Sequence, residues 1–297
     1  MIKFRKKCKK DGRHMTLKFT KMQGAGNDYI YFNCIERALD DPSEVSRAMS
    51  PRHYSVGADG IVMICRSEVA DEKMRLFNAD GSEGKMCGNA IRCVGKYLYE
   101  NALTSKTELK IETLSGIRTL SLLTENDRVV AVRVDMGRAE LDCAAIPVIY
   151  DGDRAVDVPI GVGEETYRFT AVSMGNPHAV VFADDVRSVP LEMIGPLFEK
   201  HTMFPERVNT EFVRVVSENA LEMRVWERGS GETYACGTGA CAAAVAAVVN
   251  GFCRFGSDIS VRLRGGVLVV RVGENLGVTL TGDCVRVFDG EYEFGNG

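Results

Sequence analysis

The chain has 297 residues, 45% of them hydrophobic and 26% charged, enough to bury one large core or two smaller ones. No stretch approaches the roughly 18 uninterrupted apolar residues of a membrane span, and no apolar segment of the secretory type follows the basic N-terminus, so neither a membrane protein nor an exported one is expected. The charge is unevenly spread: residues 1–14 hold seven Lys or Arg against a single acid, leaving 30 basic and 40 acidic residues in the rest. An acidic body argues against nucleic-acid binding, which draws its affinity from neutralising phosphates. The first 14 residues are expected to be a disordered basic tail ahead of Met15.

Ten cysteines are many, yet none forms a Cys-x-x-Cys pair, and with four histidines the spacing gives no zinc site. No metal site is expected. Scattered thiols in a chain without an export signal point to a reducing, cytoplasmic setting.

In chain order, short β-rich runs are expected at Ile30 to Asn33, Ile61 to Cys65, Lys73 to Phe77, Glu108 to Glu112 and Val129 to Val134. A helix follows Cys87-Gly88, from about Asn89 to Glu100. Further strands are expected at Val180 to Phe182, Thr210 to Val216, Leu221 to Trp226, Ser260 to Leu263 and Val267 to Val272. Between them a second helix follows Cys236-Gly237, from about Thr238 to Asn250, with Gly251 as its C-cap. That helix is apolar all round, so it should be buried on every side.

The two halves resemble each other. Met74 to Gly88 aligns without a gap on Met223 to Gly237, with Met, Arg, Glu, Cys and Gly coincident. A second pair, Phe19-Thr20, Gly26-Asn27 and Phe32 against Phe169-Thr170, Gly175-Asn176 and Phe182, falls at nearly the same spacing. A duplicated unit of class α+β follows: two pseudo-symmetric halves, each a curled sheet around a central helix. The expected division is 15–130 and 131–283.

Cys87 and Cys236 are then equivalent residues, each at a helix start, where free N–H groups and the helix dipole favour a thiolate. Helix starts are expected to raise the ionised fraction of both thiols above that of a free thiol of pKa about 8.5. Two sulfurs facing one carbon from opposite sides suit inversion of a stereocentre, which needs a base on one face and an acid on the other. The same N–H groups can hold a carboxylate. The uncharged amides Asn27, Asn78, Asn176 and Asn209 sit in turn-like contexts, and Arg228 after Glu227 is a natural partner for a second carboxylate. His178 follows Pro177 and either tunes a thiol or caps a strand. A thiol redox sensor is the contrasting reading, and it leaves the two matched Cys-Gly-helix units unexplained.

The blocks Gly24-Ala-Gly-Asn-Asp28, Gly57-Ala-Asp-Gly60, Phe77-Asn-Ala-Asp-Gly-Ser-Glu83, Cys87-Gly-Asn-Ala90, Met174-Gly-Asn-Pro-His178, Arg207-Val-Asn209, Trp226-Glu-Arg-Gly229 and Ala235-Cys-Gly-Thr-Gly-Ala240 together resemble the diaminopimelate epimerases, which use no cofactor. The resemblance runs from Met15 nearly to the C-terminus. It implies two hotdog-like halves, with a last strand at 284–297 returning to the first half, a homodimer, and interconversion of LL- and meso-2,6-diaminopimelate in lysine and peptidoglycan synthesis. It makes Cys87 and Cys236 the acid–base pair. Gly88-Asn89 and Gly237-Thr238 would hold the reacting carboxylate, with Asn27 lining that site. Asn78, Asn176, Asn209 and Arg228 would grip the distal end, and His178 and Glu227 would adjust the thiols, with Glu227 counted at the substrate site too. Two departures stand out: Gly60, where many members carry Gln, and Phe288, where a tyrosine is common at the dimer contact. Racemases of the histidine or proline type share the two-thiol device and form the alternative reading.

Overall fold

The computed structural model describes residues 15–295; the basic tail at 1–14 lies outside them. The first half runs β1 (Met15–Gly24), β2 (Asn27–Cys34), α1 (Pro42–Met49), β3 (Gly60–Cys65), β4 (Glu72–Asn78), β5 (Glu83–Gly84), α2 (Gly88–Glu100), β6 (Glu108–Thr113), β7 (Gly116–Glu125) and β8 (Arg128–Arg138). The second runs β9 (Val158–Val162), β10 (Glu165–Ser173), β11 (Pro177–Phe182), α3 (Leu191–Glu199), β12 (Asn209–Ser217), β13 (Ala220–Glu227), β14 (Gly231–Glu232), α4 (Gly237–Val249), β15 (Asp258–Leu263), β16 (Gly266–Val272) and β17 (Gly277–Gly282). The chain ends on β18 (Val285–Phe294).

The ladders match strand for strand. In the first half β2 runs parallel to β3 and β4 parallel to β6; in the second β11 runs parallel to β12 and β13 parallel to β15. The equivalent strands β8 and β17 pair with each other, antiparallel, and join the halves into one continuous sheet. β18 returns to pair along β1, just as β9 pairs along β10. The 130/131 division falls inside β8, whose Arg128–Val134 segment ladders with β7. We propose that the first half extends to the end of that strand.

Each half curls around its own helix. α4 is built of Gly, Ala, Cys, Thr and Val, and Ala240 through Ala247 are all fully buried. Small side chains permit this close approach of strands on every side, while α2 is only partly buried at Lys96, Tyr97, Tyr99 and Glu100, where Lys96 pairs with Glu100 at 3.0 Å. Both helices share one core. Two helices unforeseen from the sequence cover the outer faces: α1 over β1 to β4, and α3 over β9 to β12. α1 carried a local signal, since Asp41 caps it through the Glu44 N–H and Pro42 opens it. α3 was disguised by Gly195 and Pro196; Gly195 is where the Trp226 ring packs, and a Cβ there would lie 2.4 Å from that ring. No helix among the described residues is long and apolar enough to cross a membrane.

Candidate active site

Cys87 and Cys236 occupy the same structural position. Each is the N-cap of its helix in extended conformation (φ −139°, ψ 119° and φ −121°, ψ 112°). Each sulfur accepts the N–H three residues on, from Ala90 at 3.5 Å and from Gly239 at 3.3 Å. A helix start leaves its first N–H groups without intrahelical partners, so Gly88, Asn89, Gly237 and Thr238 present donors at this end. The two starts meet over Leu280: a Cβ on Gly88 or on Gly237 would come 3.3 Å from the same Leu280 methyl, and one on Gly237 would lie 3.8 Å from the Gly88 Cα. Side chains at these positions would fill the space between the two helix ends.

Around Cys87 the partners are neutral amides. Its thiol donates to Asn27 Oδ1 at 3.2 Å, and Asn89 Nδ2 donates to the same oxygen at 3.4 Å. Asn27 Nδ2 in turn donates to Asp59 at 2.7 Å, and Arg52 donates to Asp59 at 2.7 Å. Asn27 is delivered by the tight hairpin between β1 and β2, whose two central residues, Ala25 and Gly26, have φ of 52° and 80°. That is the backbone a two-residue hairpin requires. Around Cys236 the partners are acidic or hydroxylic. Thr238 Oγ1 is 3.5 Å from its sulfur and also accepts from Asn176 at 3.4 Å. The Glu227 carboxyl, held by the Thr233 hydroxyl, faces Cys236 as well. Behind them lies a fully buried pair, His178 and Glu211, with Nδ1 and Oε1 2.7 Å apart; His178 Nε2 meets Asn176 Oδ1 at 3.1 Å.

The ionisation expected from the helix starts is corrected here. Burial pushes the Cys87 thiol up; the first-turn N–H groups and Arg92 pull it part of the way back. Burial pushes Cys236 well above the ordinary thiol range, and the Glu227 and Glu211 charges push it further. Glu227 is itself raised by burial. Desolvation outweighs the helix ends, so both sulfurs rest as thiols.

The distal candidates divide into two groups. Asn209 is buried, is paired in register with His178, and accepts the Arg228 N–H at 2.9 Å. The Arg228 side chain is exposed; its Nη1 donates to the Glu206 carbonyl at 2.9 Å, and among the described residues no carboxylate pairs with it. Buried Glu199 anchors this loop by accepting from Trp226 Nε1 at 2.8 Å and the Gly229 N–H at 3.1 Å. Asn78 is exposed, and its side chain is tied within its own turn to Ser82 Oγ at 3.0 Å. Asn78 lies opposite Gly60. Gly60 admits no side chain, because a Cβ would lie 2.0 Å from the Phe77 carbonyl oxygen.

The geometry is thus two matched thiol N-caps, each at a helix start with free N–H donors, on either side of one seam. A family model for diaminopimelate epimerase matches residues 19–141 and 170–287. The chain is 49% identical over 278 residues to a diaminopimelate epimerase of Methanococcus maripaludis, covering 93% of this chain and 100% of that one. It is 51% identical over 285 residues to one from Agathobacter rectalis, covering 93% and 99%. The chain belongs to the diaminopimelate epimerase family. It is therefore an isomerase of amino acids.

Solved structures extend the fold beyond the diaminopimelate epimerases. A hydroxyproline epimerase from Agrobacterium vitis superposes with a TM-score of 0.69 at 16% identity, over 95% of this chain and 93% of that one. A probable proline racemase from Agrobacterium radiobacter superposes with a TM-score of 0.67 at 17% identity, over 92% of each. Within the family member described here, sequence reasoning missed Asp59, Arg92, Glu199 and Glu211. The first lay in plain view in the block around Gly60; the others are charged residues whose burial depends on distant segments.

Proposed function

We propose that Cys87 and Cys236 carry out the epimerisation as an acid–base pair, interconverting LL- and meso-2,6-diaminopimelate. The observation that carries the reading is the identical N-cap geometry of the two sulfurs at helix starts that meet. One thiol must first release its proton to water. That thiolate then takes the α-hydrogen, forming S–H while the C–H electron pair moves toward the carboxylate. The opposite thiol delivers its proton to the other face, forming the new C–H bond and becoming the thiolate. Roles exchange for the reverse reaction. N–H groups of Gly88, Asn89, Gly237 and Thr238 hold the carboxylate on which charge accumulates. Reacting atoms about 3–3.5 Å apart on each face would put the sulfurs roughly 6–7 Å apart around a bound substrate.

Arg228, exposed and free of acidic partners among the described residues, would bind the distal carboxylate with Asn78, Asn176 and Asn209 around it. Glu227 and His178 set the charge felt by Cys236. A second copy would cover β18, a strand that among the described residues ladders with β1 alone and exposes Val285, Val287 and Phe288; Phe288 stacks edge-on against Phe19 at 5.9 Å. The working location is the cytoplasm, where the thiols stay reduced.

The test is incubation of purified protein with LL-diaminopimelate, L-histidine or L-proline, following isomer ratio. Diaminopimelate is expected to equilibrate and the other two to remain unchanged. Arg228→Ala is expected to raise KM for diaminopimelate at least about 10-fold, the loss of one charge-assisted contact, with a smaller change in kcat. Wild-type turnover of histidine or proline faster than diaminopimelate would overturn the substrate assignment.

A further inference from the structure

Arg92 lies one turn inside α2 with 0% of its surface exposed, and its partners are all neutral. Nη1 donates to the Gly88 carbonyl and to Asn89 Oδ1, both at 3.1 Å, and Nε donates to the Asp283 carbonyl at 3.2 Å. Nη2 is buried without an acceptor among the described residues. Lys21, the other buried cation at this end of the fold, is paired with Asp28. A buried guanidinium without a carboxylate is heavily penalised unless negative charge is supplied from elsewhere.

Its contacts lead directly to the Cys87 sulfur. By occupying Asn89 Oδ1, Arg92 turns Asn89 Nδ2 toward Asn27 Oδ1, the atom that also receives the Cys87 thiol. Asp59 fixes the other end of the Asn27 amide. The charged and titratable groups facing Cys87 are Arg92 from α2, Glu227 from β13, the Tyr29 and Tyr31 phenols from β2, and Asp59 behind Asn27. Arg92 is the cation among them. The equivalent position in the second half, 149 residues on, is Cys241, a buried apolar side chain. The device therefore exists on one side of the site only.

We propose that Arg92 is a positioning residue for the Cys87 side: it orders the Asn89–Asn27 amides around that sulfur, and its unpaired charge balances the negative charge that forms there and on the carboxylate at the helix starts. The proposal rests on the two-thiol reading. It makes the pseudo-symmetric site electrostatically unequal, with Cys87 the sulfur that ionises more readily.

The test is the pH dependence of iodoacetamide alkylation, resolved by peptide mapping. Cys87 is followed in Cys236→Ala protein and Cys236 in Cys87→Ala protein, so no turnover is needed. Cys87 is expected to reach half-maximal reactivity at least about one pH unit below Cys236, a tenfold difference in thiolate at neutral pH. Adding Arg92→Met is expected to raise the Cys87 midpoint by about one unit and leave Cys236 nearly unmoved, with Arg92→Lys recovering most of the shift. In protein retaining both cysteines, the ascending limb of kcat/KM for Arg92→Met should move by the same amount. A Cys87 midpoint at or above that of Cys236 overturns the proposal, as does a midpoint indifferent to Arg92→Met. Should the Arg92 variants fail to fold, the comparison of the two thiols in Arg92-containing protein decides. Turnover retained by Cys87→Ala would instead sink the two-thiol reading itself, whatever the alkylation shows.

Discussion

Cys87→Ala and Cys236→Ala are each expected to lower kcat by at least about 10²-fold, the usual loss when a general acid or base is removed. Each deletion leaves one face of the reacting carbon with nothing to take or give a proton. The same changes remove an N-cap acceptor, worth about 1 kcal/mol of helix stability, and so need a control. Cys→Ser supplies that control, because a hydroxyl caps the helix well but ionises far less readily than a thiol. If the sulfurs work as acid and base, Ser leaves the enzyme nearly as impaired as Ala; if they only cap, Ser restores it. Cys34, Cys65, Cys93, Cys143, Cys241, Cys253 and Cys284 cap neither of the two helices α2 and α4, and their Ala variants should stay within a few-fold of wild type. Steady-state rates with LL-diaminopimelate at neutral pH, in the presence of a reductant, check all of these.

Stability should fall steeply above pH 9. Burial pushes Cys241, inside α4, up to about 12 from an ordinary value of 9.0, and drives Cys236 upward too. Between those values the unfolded chain has lost the proton and the folded chain still holds it. The folded state then binds more protons, so stability decreases with rising pH by about 1.4 kcal/mol per unit for each such group. Across the window from 9.0 to about 12, Cys241 alone removes on the order of 4 kcal/mol, a large share of the 5–15 kcal/mol typical of a folded chain. Above pH 10 the buried phenols Tyr29 and Tyr31, raised chiefly by desolvation, add to the same trend. Urea unfolding at a series of pH values under reducing conditions measures the slope. Cys241→Ala is expected to flatten it by one proton while leaving neutral stability within about 1 kcal/mol, as a small-to-smaller change in a packed helix allows. A flat profile between pH 9 and 11 would contradict the burial argument.

What the sequence revealed was local. The two helices after Cys-Gly, the complete burial of α4 and the inner strands rest on patterns within a few residues, and the duplication on the same short pattern recurring half a chain later. Helix α3 escaped because its apolar face contains Gly195 and Pro196, which look like breakers until Trp226 is seen packing against the glycine. β18 has no local signal of its own, being an edge strand with Asp289, Glu291 and Glu293 along it; only the family resemblance points to a returning strand there, and in the structure it pairs with β1. Arg92 and Glu211 read as ordinary charges on a helix and a strand. The segment around Asp283, 191 residues away, buries the first, and His178 on the neighbouring strand accompanies the second. The helix-start argument for ionised thiols was sound in sign, but desolvation proved the larger effect.

The central claim is that two separate thiols act on opposite faces of one carbon, and early turnover in D₂O tests it most directly. A thiol carries a single exchangeable proton, so product formed by this pair receives deuterium from the far sulfur. Substrate that reverts before crossing regains its own hydrogen from the near one. Starting from LL-diaminopimelate, the meso product is expected to carry α-deuterium from the first turnovers while recovered LL substrate remains unlabelled. Deuterium appearing in recovered substrate as fast as in product would show one group serving both faces, and would contradict the account.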